Sequence, residues 1–332
     1  MSKIHWGVLG TANIARTQLI PALIRAENSE IIAISSRGSK VHEVAREFNI
    51  PRAYEDYDEL LSDRDVDAVY IPLPNHLHKE WVVKAAKQGK HVLCEKPAAL
   101  TSVEAIEMVQ ICREHNVKFM EGFMYQFHPQ HERVKEIITS GEIGEVKLIR
   151  ASHSYYMENR DTNIRMGKEM GGGSLYDVGC YAIHAIRNIS QSEPTVVQAH
   201  AEKDPASGID LSAHGYLHLA NGITALFDCS FDMTRRQEYE VIGTKGTINV
   251  PFAFRPDFNG QIGLVIVQTA GLTREEKIQG DIFHLEVEHF SNAILNDSRL
   301  LNTGESTINN MRVLEASYES IQIGLRVNIG IK

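Results

Sequence analysis

At 332 residues the chain exceeds what one typical core supports, so two domains are expected. Hydrophobic residues make up 43% and charged residues 23%, the balance expected of a soluble globular protein. The 34 Lys and Arg against 43 Asp and Glu give a net charge of −9 with no basic run, which argues against nucleic acid or an anionic membrane as partner. No apolar run approaches the roughly 20 residues of a membrane span. Cys94, Cys112, Cys180 and Cys229 are scattered and form no CxxC pair, which suits free thiols in a reducing cytoplasm. The sequence reads straight into a strand without a charged-then-apolar leader, so a cytoplasmic location is expected.

Residues 3–9 form a short, mostly apolar strand, followed by Gly10, Thr11, Ala12, Asn13, Ile14 and Ala15, then a helix to about Ala26. The turn has the GxGxxG spacing, with Gly10 kept and alanine at the second and third positions. Small residues there let backbone approach a pyrophosphate and helix meet strand. Ala15 satisfies the packing requirement, whereas Ala12 leaves less room beside the phosphates. Such a turn also occurs where elements simply pack closely. A second strand, residues 30–35, ends where an acid normally binds the ribose 2′-hydroxyl. Here Ser36, Arg37 and Lys40 stand instead, a set that suits a 2′-phosphate by charge and hydrogen bonding. NADP is therefore favoured over NAD, although NAD remains possible; the alternative is a solvated basic turn.

The alternation continues. A buried strand at 66–73 runs into a loop containing Leu73, Asn75, His76 and His78, and residues 79–88 read as helix. The two histidines have no third ligand in view, so no metal is expected. Val92, Leu93 and Cys94 are a short buried strand that must stop at Pro97, which lacks an N–H for the ladder. Glu95 and Lys96 therefore lie at the carboxyl end of a strand, the edge where ligands bind in open α/β sheets. An ammonium there binds an oxyanion or lowers the pKa of a neighbouring phenol, unless it is an ordinary surface lysine. Thr101 with Glu104 makes a capping box for a helix to about His115, and 117–122 is a further strand. Strands alternating with helices predict an α/β, doubly wound parallel sheet over residues 1–122.

From Phe123 the pattern changes. Residues 130–140 read as helix, 146–156 as an alternating strand, and Gly171 to Gly173 as a flexible entry to a helix over 174–189. Asp177, Tyr181 and His184 share one face of that helix at spacings of four and three. A carboxylate, a phenol and an imidazole together make an acid/base set, the alternative being a half-buried helix with a packed tyrosine. Tyr155, Tyr156, Asn159 and Arg165 in the preceding segment suit a hydroxylated substrate or are ordinary loop residues. Strands at 196–201, 211–219, 223–231, 238–242 and 247–250 follow without alternating helices. Asn221-Gly222 marks a hairpin between two of them, and helices at 282–295 and 305–323 close the chain. Residues 123–332 are thus expected to form an α+β domain with a large, mostly antiparallel, open-faced sheet. Its uncovered face predicts a homodimer or homotetramer.

The motifs Trp6-Gly-Val-Leu-Gly-Thr-Ala-Asn-Ile-Ala15, Glu95-Lys96-Pro97, Glu121-Gly-Phe-Met-Tyr125 with His128-Pro129, and Gly171-Gly-Gly-Ser-Leu-Tyr-Asp-Val-Gly-Cys-Tyr181 occur in one order along the chain. In this the sequence resembles the glucose–fructose oxidoreductase/inositol dehydrogenase (Gfo/Idh/MocA) family over nearly its whole length. It is most similar to the branch holding NADP-dependent aldose (xylose) dehydrogenases and dimeric dihydrodiol dehydrogenases. The resemblance implies a Rossmann domain whose Gly10 to Ile14 hold the pyrophosphate and whose Ser36, Arg37 and Lys40 hold the 2′-phosphate. It places Leu73, Asn75 and His78 at the ribose and nicotinamide side, and Glu95 and Lys96 beside the nicotinamide. It makes Tyr181 the general acid/base and Asp177 a hydrogen-bonding partner of the substrate. Lys96, Tyr155, Arg165 and His184 are the further candidates for facing the substrate.

A free tyrosine, near pKa 10, is a poor base, and a lysine ammonium within about 4–6 Å would stabilise its phenolate. Tyr181 is then the proton carrier with Lys96 as its electrostatic partner, or Lys96 transfers the proton itself. Gln126 and Lys168-Glu169-Met170 depart from the family pattern, which leaves the substrate open. The expected activity is hydride transfer between nicotinamide and a sugar-like polyol or aldose. The alternatives are a trans-dihydrodiol or non-sugar carbonyl oxidoreductase, and a non-catalytic dinucleotide-sensing regulator.

Overall fold

The structure, a computed structural model, describes residues 2–330. It divides into two compact units, one comprising residues up to Met124 together with Phe283–Ile308, the other Tyr125–Ile282 together with residues from Asn309. The single boundary expected at 122/123 thus becomes a division in which a C-terminal segment returns to the first unit. Trp6 shows why. It is fully buried, donates from Nε1 to Ser291 Oγ at 3.1 Å, and lies 5.5 Å from the Phe290 ring. The apolar face of the helix Ile282–Leu295, with Val287 and Phe290 fully buried, is part of the first core.

In the first unit, strands β1 (Ile4–Leu9), β2 (Ser29–Ser35), β3 (Arg52–Tyr54), β4 (Ala68–Ile71), β5 (His91–Glu95) and β6 (Phe119–Gly122) form one sheet in the order β3-β2-β1-β4-β5-β6. Every pairing is parallel. The strands are near-continuous apolar runs, as a sheet covered on both faces requires. Strand order reverses between β1 and β4, so the crevice of this doubly wound sheet lies at the carboxyl ends of those two strands. The sequence reading omitted β3; three half-buried residues, Arg-Ala-Tyr, carry no periodic signal. The Thr101 cap forms as expected, its Oγ1 accepting from Glu104 N at 3.1 Å, while the Glu104 carboxylate reaches Leu100 N rather than that of the cap itself.

The second unit holds a nine-stranded sheet built from β7 (Val146–Tyr156), β8 (Pro194–Lys203), β9 (Asp210–Leu219), β10 (Thr224–Ser230), β11 (Asp232–Gly243), β12 (Gly246–Val250), β13 (Ile262–Thr269), β14 (Leu272–Gln279) and β15 (Val327–Asn328). Their order is β14-β13-β12-β11-β7-β10-β9-β8-β15. The β7–β10 pair is parallel and the others are antiparallel. Asn221-Gly222 makes the β9–β10 hairpin, with Gly222 at φ 84° where a side chain would be strained. The β13–β14 hairpin went unread, although residues 262–267 alternate half-buried and buried as a strand should.

One face of this sheet is covered by the helix Cys180–Ser190 and the turn before it, which pack on β7 and β10. Ile149 and Ala151 point into that layer and are almost fully buried. The opposite face presents Arg150, His200, His214, Tyr216, Leu226 and Asp228 around a groove of about 610 Å³. Among the described residues no helix is long and apolar enough to cross a membrane.

Candidate functional site

The residues singled out by sequence fall into two sets, one in each unit. In the first, Gly10 follows β1 with φ 121°, a conformation that other residues rarely adopt. A Cβ there would come within 3.3 Å of Leu73, so the bare backbone is what lets the turn close against the β4 loop. Gly10 N donates to Ser35 O at 2.7 Å, and Thr11 Oγ1 lies 3.5 Å from Ser36 Oγ. The turn after β1, the end of β2 and the loop after β4 therefore meet at the strand-order reversal. Arg37 and Lys40 are exposed beside them, and Asn13 is exposed at the start of the first helix, with Ala12 and Ile14 half-buried around it. This is a fit for a dinucleotide: a glycine cradle for phosphates, and a hydroxyl with two cations where a 2′-phosphate would lie.

His78 is placed differently from the expectation. Its ring is fully buried, with Nδ1 2.9 Å from Pro97 O and Nε2 2.7 Å from Leu73 O. It is therefore wedged between the β4 and β5 loops, donating its single N–H to one of these carbonyls, with no surface for a ribose or nicotinamide to touch. Burial, reinforced by the charge of Lys96, pushes its pKa down to about 4. Asn75 lies half-buried on the same loop.

Next to it, the Lys96–Pro97 peptide is cis. Glu95 receives the Tyr70 hydroxyl at 2.5 Å and its neighbour's N–H, from Lys96, at 3.3 Å. Behind these, Glu121 is fully buried; its Oε1 accepts from Ala98 N at 2.9 Å and its carbonyl from Asn302 Nδ2 at 2.9 Å. Sequence reasoning quoted Glu121 only as part of a motif. Here it fixes the turn that carries Lys96. Glu286, on the returning helix, is also buried, and desolvation with the charge of Glu95 pushes its pKa well up.

In the second unit the expected helix opens with a π turn, Leu175–Gly179, and continues as α-helix Cys180–Ser190. Such widened turns recur at functional sites. Asp177 is held on one oxygen by two donors, Tyr155 OH at 2.9 Å and Arg165 Nε at 2.9 Å. Burial and then the Asp177 charge push the Tyr155 phenol up, so it stays protonated and donates. The Asp177 charge likewise strengthens the charged form of Arg165. The Arg165 side chain is 44% exposed, with its Nε engaged by Asp177. Asp177 is thus an oriented, charge-compensated acceptor.

Tyr181 lies one turn on, 5% exposed, within an aromatic enclosure. Its ring is 5.1 Å from His153, 5.6 Å from Phe254 and 5.9 Å from Tyr125. His184 is 2% exposed and its Nδ1 is 2.6 Å from the Tyr125 hydroxyl, so it supports this enclosure from within and is withdrawn from any substrate. The expected shared face of Asp177, Tyr181 and His184 therefore runs from the half-buried margin at Asp177 into the core, where Tyr181 and His184 are both buried. His153 and Phe254 were missed. His153 follows from the alternation of β7, where it shares a face with Tyr155; Phe254 lies in a loop with no periodic signal.

Comparison with known proteins agrees with this geometry. Residues 4–123 match an oxidoreductase family with an NAD-binding Rossmann fold, and residues 131–249 match the Gfo/Idh/MocA C-terminal domain. An NADP-dependent D-xylose 1-dehydrogenase of Haloferax volcanii is 37% identical over 98% of this chain and 99% of its own. A trans-1,2-dihydrobenzene-1,2-diol dehydrogenase of Xenopus tropicalis is 30% identical over 74% of each chain. The crystal structure of an aldose-aldose oxidoreductase from Caulobacter crescentus, complexed with glycerol, superposes with a TM-score of 0.92 at 26% identity, covering 98% of this chain and 100% of that one. With both halves of its architecture matched, the chain belongs to the Gfo/Idh/MocA family of oxidoreductases.

Proposed function

We propose that the protein is an NADP-dependent dehydrogenase of an aldose or a similar cyclic polyol, taking an anomeric CH–OH to the lactone or running the reverse. The observation that carries this is the Asp177 cluster. A carboxylate compensated by Tyr155 and Arg165 stands one turn from a tyrosine, which is a hydrogen-bonding set for a hydroxyl-rich substrate rather than for a hydrocarbon. The name of the Haloferax relative supports both the sugar and the cofactor, and Ser36, Arg37 and Lys40 support NADP over NAD.

When bound, NADP supplies a hydride acceptor at the nicotinamide. The chain does the rest. Gly10 to Ile14 carry the phosphates on backbone N–H groups. Asp177 accepts from a substrate hydroxyl and so fixes the ring; Arg165 and Tyr155 hold that carboxylate in place. Tyr181, as its phenolate, takes the proton from the reacting hydroxyl and becomes the neutral phenol; the role of the Lys96 charge is to favour that phenolate. His78 and His184 act indirectly, through the loops and rings they brace.

The test is a 340 nm assay offering NADP and NAD separately with pentoses, hexoses, inositols and trans-dihydrodiols. Turnover with NADP and an aldose is expected. Turnover confined to dihydrodiols would replace the sugar reading, and tight NADP binding without turnover would favour a regulator. We also propose that a second copy covers the open sheet face, whose Tyr216 and Leu226 are each 38% exposed. Sedimentation showing only monomer would reject it. The four cysteines are buried and form no disulfide, in keeping with a cytoplasmic protein.

A further inference from the structure

We propose that Asp210 is a positioning residue of this enzyme: its buried carboxylate tethers the helix that carries Asp177 and Tyr181. The proposal deepens the reading above and rests on it.

Asp210 opens β9 and is 3% exposed. One oxygen, Oδ2, accepts from Leu175 N at 2.6 Å and from Ser174 Oγ at 2.9 Å. The other, Oδ1, accepts from Tyr318 OH at 3.0 Å. Leu175 is the first residue of the π turn, and first-turn amides have no partner inside their own helix. Ser174, which occupies the usual capping position, makes no capping bond with its side chain. The strand carboxylate fills that role, and the positive end of the helix dipole favours its charge. Burial pushes the Asp210 carboxyl upward while the three donors pull it back.

Two features mark this as placement rather than simple capping. Elsewhere local residues close helix ends: Asp56 accepts from Asp58 N, and Thr101 from Glu104 N. The site helix is instead fixed to a residue 35 positions downstream on another element, which sets where the helix lies as well as how it begins. The backbone is also shaped for it. Gly173 has φ 121°, and a Cβ there would sit 2.3 Å from Asp210 Oδ1, so only glycine admits the carboxylate. Asp177 N in turn donates to Gly173 O at 3.0 Å, linking the tether to the substrate-orienting residue through one turn of backbone.

The experiment compares Asp210→Ala and Asp210→Asn with the wild type in steady-state turnover, in thermal unfolding, and in hydrogen exchange of residues 174–184. Asp210→Ala is expected to lower kcat about 100-fold, the scale on which ångström misplacements act, with the KM for NADP within about twofold. Asp210→Asn keeps the shape and one acceptor oxygen and is expected to recover most of that loss. Exchange of amides 175–181 should rise in Asp210→Ala relative to the β-strands. A folded Asp210→Ala with unchanged kcat would overturn the proposal even if its melting point fell, because a merely structural cap leaves turnover per folded molecule intact. Should Asp210→Ala not fold, Tyr318→Phe removes a single bond; it is expected to cost about threefold or more in kcat, and an unaltered kcat overturns the proposal. Absence of any wild-type turnover would count against the dehydrogenase reading instead. Exchange then decides alone, and unchanged protection of residues 175–181 in Asp210→Ala overturns the tether.

Discussion

Acid should weaken the first unit through His78, by an amount the structure allows one to work out. The folded ring titrates at about 4, because burial outweighs the two carbonyls beside it, whereas an unfolded histidine titrates near 6.5. The unfolded chain therefore takes up the proton first. Stability from this group is fully present above about pH 6.5 and is lost as pH falls toward 4. At pH 5 the loss is roughly 2 kcal/mol, and below pH 4 it approaches about 3 kcal/mol. His131, in the second unit, is pushed down to about 3 by burial and adds a like term there, so the His78 share has to be isolated by difference.

The assay is denaturant unfolding of wild type and His78→Gln at pH 7, 6 and 5, followed by tryptophan fluorescence. Both tryptophans, Trp6 and Trp81, lie in the unit that contains His78. His78→Gln pays a fixed cost for the lost carbonyl contact but should show a shallower acid slope, by about 2 kcal/mol between pH 7 and 5. Equal slopes would refute the reasoning. A wild type that gains stability relative to the variant on acidification would reverse it. The ring would then be an imidazolium donating to both Pro97 O and Leu73 O.

Further outcomes follow from the same geometry. Arg37→Ala should weaken NADP binding about tenfold or more while leaving NAD nearly unchanged, the value of one charge-assisted phosphate contact, as read by fluorescence titration; equal losses for both cofactors would remove Arg37 from the 2′-phosphate site. Arg165→Met should raise the substrate KM and reduce kcat/KM by about tenfold, since it strips one of two donors from Asp177. Tyr181→Phe should abolish most turnover, by about 100-fold or more, with NADP affinity intact; substantial residual rate would move the proton to Lys96. Trp6→Ala should cost about 3–5 kcal/mol in chemical denaturation, because the ring is fully buried and its N–H is bonded to Ser291.

Much of this molecule is legible in its sequence because strand and helix periods are local properties. The apolar runs ending at Leu9, Ser35 and Glu95, and the turn residues after them, yield both the doubly wound sheet and the edge where the proposed cofactor residues lie. The nine-stranded sheet is legible as class, from strands without intervening helices, but β7 pairing in parallel with β10 depends on a long-range choice that no window of sequence contains. Site residues follow the same division. Asp177 and Tyr181 were accessible from helical spacing, and Arg165 as one of the polar residues in the segment before that helix. His78 and His184 were misjudged because a histidine looks the same in sequence whether it faces a ligand or closes a buried hydrogen bond. Asp210 was invisible because its meaning lies wholly in the Leu175 amide it meets across the fold.

The proposed hydride transfer from a sugar carbinol carbon to the nicotinamide of NADP is read out by label transfer. The enzyme is given NADP and an aldose deuterated at the anomeric carbon, and the reduced cofactor is analysed by mass spectrometry. One deuterium is expected on each reduced nicotinamide, with the lactone or its hydrolysed acid formed in equal amount. Reduced cofactor without deuterium, or no reduction with any aldose, would contradict it.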